Sequence, residues 1–215
     1  MKIRFLLPIF LLTLIVALTS CASKEKPPRE RDETFIANIN PFEVETYHVY
    51  ATVNIGKPKV SDFYVTFAPR TNYLFIKARL GIDVVRIGFS YEDRMMINDA
   101  VNQYLEAYEN GTVPDVKPTK KNAYSKGTVL FEWGATGLAH QVVTNYRTNA
   151  QYLEPNKPYF LISIDSKAEE GTDHVSSPRI GIYISPSQWE SIIEKCSQEN
   201  LEAMTDEILA EAEAF

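Results

Sequence analysis

The chain has 215 residues, 45% of them hydrophobic and 12% aromatic, with 28 acidic against 22 basic side chains. That is enough apolar material for one sizeable core, which excludes a chain disordered throughout. The acidic balance argues against a nucleic-acid binder, which needs a basic face, and two cysteines build no disulfide framework.

Lys2 and Arg4 precede an uncharged, mostly apolar run from Phe5 to Leu18. The run is shorter than the roughly 20 residues a bilayer-spanning helix needs, and it carries Pro8. Lys24, Glu25 and Lys26 follow at once, and hydrocarbon would not take them cheaply. The stretch therefore reads as the core of a signal peptide rather than a permanent anchor.

At its end, Leu18-Thr19-Ser20-Cys21 resembles the lipobox of bacterial lipoproteins: a large apolar residue, two small ones, then an obligatory cysteine. The resemblance covers only the first 21 residues. It implies a diacylglycerol cysteine at Cys21, cleavage between Ser20 and Cys21, and acylation of the new amino terminus by a fatty acid such as palmitate. Two or three acyl chains anchor a protein stably where one is marginal. The bland alternative is a plain secretion signal or short anchor with a coincidental cysteine. Loss of Lys2 and Arg4 takes the formal charge from −6 to −8. A body of that charge is not drawn onto an anionic bilayer, so the lipid must supply the attachment. Ala22, where an inner-membrane retention signal has Asp, favours the outer membrane in a two-membrane cell, with the body in the periplasm or at the cell surface.

The domain organisation follows: residues 1–20 a signal peptide, 21–40 the lipidated cysteine and a flexible charged tether, and 41–215 an exported domain. Pro27-Pro28 among charges of both signs gives the tether no apolar face to bury.

From Thr46 the pattern turns to period two. Tyr47, Val49, Ala51 and Val53 share a face; Phe63, Val65 and Phe67 follow, then Leu74, Ile76, Ala78 and Leu80, then Val85, Ile87 and Phe89. These predict four antiparallel strands joined by short turns. Ser90 to Glu109 predicts a helix, with Ser90 and Asp93 as capping partners and Ile97, Val101, Tyr104, Leu105 and Tyr108 as its apolar stripe. Gly111 to Lys126 is a lysine-rich loop that could lie against the acidic C-terminal helix. Strands resume at 128–133 and 141–147, flank Pro155 to Pro158, and return at Ile180, Ile182 and Ile184 after a polar loop expected to be mobile. Ser185-Pro186-Ser187-Gln188 starts the last helix, whose stripe slips near Asn200.

The expected fold class is therefore α+β: antiparallel sheet of about eight to nine strands with two helices packed on one face. The repeated order of strands then helix raises a duplicated strand–helix unit, with subdomains 41–110 and 127–215.

No serine nucleophile elbow, zinc-helix motif or phosphate loop is present. His48, His140 and His174 stand at no metal-ligand spacing, so no metal and no cofactor is expected. Cys196 sits on an apolar stripe and reads as structural. Glu132, Trp133 and the many tyrosines read as sheet faces before they read as a ligand surface. The resulting expectation is a lipid-anchored, non-catalytic binding or structural module of the cell envelope, held to the membrane by its lipid, with an envelope protein or small molecule as partner. The alternative is a lipid-anchored, hydrolase-like enzyme with its site assembled from distant loops, which would need a histidine and a carboxylate within hydrogen-bond reach.

Overall fold

The computed structural model describes residues 34–172 and 174–214. Ser20, Cys21 and most of the tether lie outside the described residues. Eight strands form in chain order: β1 Phe42–Val53, β2 Lys59–Ala68, β3 Tyr73–Leu80, β4 Asp83–Phe89, β5 Ser125–Gly134, β6 His140–Glu154, β7 Lys157–Ile164 and β8 Ile180–Ile184. Three helices accompany them: α1 Tyr91–Glu109 after β4, then α2 Pro186–Cys196 and α3 Gln198–Glu213 after β8.

Each strand pairs antiparallel with the next, and β1 pairs with β8 through Tyr50 opposite Tyr183 and Val53 opposite Ile180. The sheet is thus a closed barrel. This corrects the expected α+β arrangement of antiparallel sheet with two helices packed on one face: the sheet is closed on itself, and among the described residues there are three helices. The two sets of strands also meet directly, Ile87 opposite Phe131 joining β4 to β5.

The period-two alternation now has a physical meaning. Val49, Phe63, Ala78, Val85, Ile87, Val129, Phe131, Val142, Ile162 and Ile182 point inward and are buried in one continuous core. An eight-stranded barrel has an interior just wide enough for such side chains to fill. Outward positions on the same strands carry Lys77, Arg79, Arg86, Glu132 and Arg147.

Strands β4 and β8 finish at the same end of the barrel, and the helices that follow close it. Tyr104 of α1 is fully buried. Its ring meets Phe160 edge-on at 5.4 Å, and its hydroxyl donates to the Pro158 carbonyl at 2.9 Å. Trp189 of α2 also meets Phe160 edge-on, at 5.2 Å. Leu201 of α3 packs with Val65, Phe67 and Leu74. The caps explain where the helices start. The Asp93 N–H donates to Ser90 Oγ at 3.1 Å, and the Ser185 N–H donates to Gln188 Oε1 at 3.0 Å. The slip in the terminal stripe is a real break, at Ser197, whose Oγ accepts the Asn200 N–H at 3.1 Å and starts α3.

Candidate functional site

At the end away from the helices, the β7–β8 connection is fastened rather than loose. Ala168 bridges Ser176, and the strip runs alongside β6. Lys167 Nζ donates to the Val143 carbonyl at 2.8 Å, and the Gln141 N–H donates to Glu169 Oε1 at 3.1 Å. The other carboxylate oxygen of Glu169 lies 2.8 Å from His140 Nδ1, and the His140 ring stacks on Trp133 with centroids 5.2 Å apart. The Gln141 N–H and then the imidazole hold the Glu169 carboxyl below the usual carboxylate range.

A carboxylate on one imidazole nitrogen is the arrangement that orients a histidine as a general base. Here both Glu169 oxygens are used to bind the strip to β6, and Trp133 beneath is buried. Among the described residues, no hydroxyl or thiol is hydrogen-bonded to His140. His48 makes a second pair, 2.7 Å from Asp62 on the outer face. His174 is exposed, with backbone φ of 69° in the β7–β8 strip. Among the described residues, His48 and His140 each meet a carboxylate, a juxtaposition the strand pattern did not reveal, because both partners are non-local.

Among the described residues, no group of three or more His, Cys, Asp or Glu side chains could hold a metal. An open groove of about 630 Å³ lies at the β6–β7 hairpin, lined by Asp115, Tyr152, Leu153, Glu154, Pro155 and Asn156. A register shift between Tyr152 and Glu154 leaves Leu153 out of the ladder. The Tyr152 hydroxyl donates to the Val113 carbonyl at 3.2 Å and holds the α1–β5 loop against this hairpin. Further along, the Asn149 amide donates to the carbonyls of Thr119 and Asn122 at 3.2 and 3.0 Å. Lys120 faces Asp165 at 3.8 Å rather than the acidic α3.

A buried polar joint ties α1 to α3 and to the β2–β3 turn. Arg94 Nη2 donates to Asn72 Oδ1 at 2.7 Å, to the Asn72 carbonyl at 3.2 Å and to Gln198 Oε1 at 2.9 Å. Its guanidinium lies 5.7 Å from the ring centres of both Phe67 and Tyr91, and burial lowers its pKa to about 10. Arg94 stands three residues before Ile97 and seven before Val101, so it belongs to the buried stripe, a signal the sequence contained. Nearby Cys196 has its thiol pushed up to about 11 by burial, which makes it a poor nucleophile at neutral pH. Trp133 lines the core, and Glu132, on the outside, is paired with Arg86.

No solved structure matches the chain. A protein of Treponema pallidum (strain Nichols), described as "Uncharacterized protein", is 26% identical over 177 residues, which is 81% of this chain and 64% of that relative. The chain thus spans a little under two thirds of the length of that relative. Residues 29–203 match the family described as "Uncharacterised Treponema protein". That match covers most of the chain and all eight strands, and the chain belongs to this family.

Proposed function

We propose that the chain is a lipid-anchored cell-envelope protein and that its barrel is a non-catalytic binding or structural module. The observation that carries this reading is the polarity of the barrel. A membrane-spanning β-barrel turns apolar side chains to lipid and polar ones to its lumen. This one does the reverse, with Val85, Ile87, Phe131 and Ile182 inside and Lys77, Arg86, Glu132 and Arg147 outside. Such a barrel cannot sit in hydrocarbon, so attachment falls to Cys21 and its lipid. With the core filled, what the barrel offers a partner is its outer face and its loops.

Feeding radiolabelled palmitate to the native host tests the anchor. The wild-type chain takes up label and sediments with membranes, and Cys21→Ser loses both. Equal labelling of the two would overturn the anchor.

The His140–Glu169 bond favours a second reading, a lipid-anchored, hydrolase-like enzyme. Hydrolysis of a panel of ester and glycoside substrates by the wild type but not by His140→Gln would replace the module with an enzyme.

A further inference from the structure

The net charge hides an uneven surface. Four of the large apolar side chains most exposed to solvent lie on one half of the barrel, the β1–β4 side. Ile55 at the tip of the β1–β2 hairpin is 100% exposed, Ile82 at the tip of the β3–β4 hairpin 76%, and Val60 and Tyr64 on the outer face of β2 are 60% and 46% exposed. Both tips project at the end away from the helices, two strand widths apart, or about 10 Å.

The same side concentrates positive charge. Lys57 and Lys59 belong to the β1–β2 hairpin, and Lys77 and Arg79 face outward from β3; all four are exposed. None of the four forms an ion pair among the described residues. The acids within the patch are Asp62, already bonded to His48, and Asp83. Arg86 is neutralised by Glu132. Glu43 and Glu45 lie at the far end of β1, beyond the patch. A body with an acidic total thus carries a face with the opposite sign.

We infer that this face docks on an anionic lipid bilayer, with Ile55 and Ile82 inserted at the headgroup boundary and the four cations set against lipid phosphates. Apolar tips ringed by lysine and arginine are the chemistry that binds the interface of an anionic membrane. The convex shape fits too: isolated side chains on hairpin tips enter a soft interface without needing a preformed pocket. The chain enters the barrel at the opposite, helix end, beside β1 and the β2–β3 turn. The Ile36 and Ala37 N–H groups donate to the Pro69 carbonyl in the β2–β3 turn, at 2.8 and 3.4 Å. The inference rests on the lipid-anchored reading for the membrane's nearness. Tethering raises the effective concentration of a patch that binds the bilayer by itself.

Vesicles separate the two claims. Residues 34–215 contain every strand, helix and core side chain described above, so this body is tested without lipid or tether, in a Cys196→Ser background. An environment-sensitive dye is placed at Ile55→Cys, Ile82→Cys or, as control at the helix end, Tyr108→Cys. On vesicles of phosphatidylcholine with a quarter phosphatidylglycerol, the dyes at 55 and 82 shift to the blue and are quenched by bilayer-depth quenchers, while that at 108 does not change. Partition falls by about tenfold or more in Lys57→Glu/Lys59→Glu and in high salt. Silence at 55 and 82, equal shifts at 108, or indifference to the lysine substitutions would overturn it and leave an acidic protein as the partner for this face. Failure of palmitate labelling at Cys21, with the dyes still responding, would remove the anchor and keep the patch.

Discussion

If the helices close the barrel by filling its end, Tyr104 should be among the costliest side chains to remove. It is fully buried, meets Phe160 at 5.4 Å and Tyr124 at 6.5 Å, and donates a hydrogen bond to the Pro158 carbonyl at 2.9 Å. Tyr104→Phe keeps the ring and leaves that carbonyl without its donor, at a cost of about 1–3 kcal/mol. Tyr104→Ala also empties a ring-sized space in the core, for about 3–5 kcal/mol. For a body of this size each kcal/mol moves Tm by about 2–4 °C, so the alanine variant should melt about 6–20 °C lower. Urea unfolding of residues 34–215, followed by tryptophan fluorescence, reads both variants. Trp189 is a local reporter, since its ring meets Phe160 edge-on at 5.2 Å. A cycle with Phe160→Leu should give a coupling of about 0.5–1.5 kcal/mol. A loss below about 1 kcal/mol for Tyr104→Ala, or no coupling, would refute the packed end and make α1 a loosely attached helix.

Other outcomes follow from the same geometry. A Cβ added at Gly127 would collide with Asp93 Oδ1 and lie 2.6 Å from Tyr146 Cε1, so Gly127→Ala should cost about 1–3 kcal/mol in urea unfolding. Gly56 has open space around it, and Gly56→Ala should change stability by less than about 1 kcal/mol. Alkali should unfold the barrel: burial raises Tyr47 from 10.0 to about 12 and Cys196 from 9.0 to about 11. A raised folded pKa gives stability that is complete below the unfolded value and lost as pH climbs through the folded one. The urea midpoint should therefore fall between pH 9 and 12, partly offset by Arg94, whose pKa is lowered to about 10 and has the opposite sign. Glu169 works from the acid side. Its lowered pKa stabilises the strip above the usual carboxylate range, and that is lost as pH falls through the depressed value. Glu169→Gln should speed limited proteolysis within residues 166–178 without moving the global urea midpoint.

Strands and caps were legible because they are written locally. The alternation of Leu74, Ile76, Ala78 and Leu80 and the pairing of Ser90 with Asp93 each lie within a few residues. Closure was not legible, because it depends on β1 meeting β8 across more than a hundred residues, Tyr50 against Tyr183 and Thr52 against Gly181. A trace of it exists in Ile180–Ile184, where all five residues are buried, as suits a strand covered on both faces. The strip at 166–178 looks mobile from its composition, yet Glu169 and Lys167 bind it to strand β6 through partners no local pattern names. The basic face was hidden for another reason: net charge averages over a surface, and the cations of two separate hairpins become neighbours only once the sheet is folded.

The central claim concerns where the barrel is held, and Cys21 tests it most directly. Intact-mass spectrometry of the protein extracted in detergent from its own host should give a chain that begins at Cys21 and carries a diacylglyceryl group with an added amino-terminal acyl chain. An unmodified chain, or one that begins at any other residue, would contradict the account.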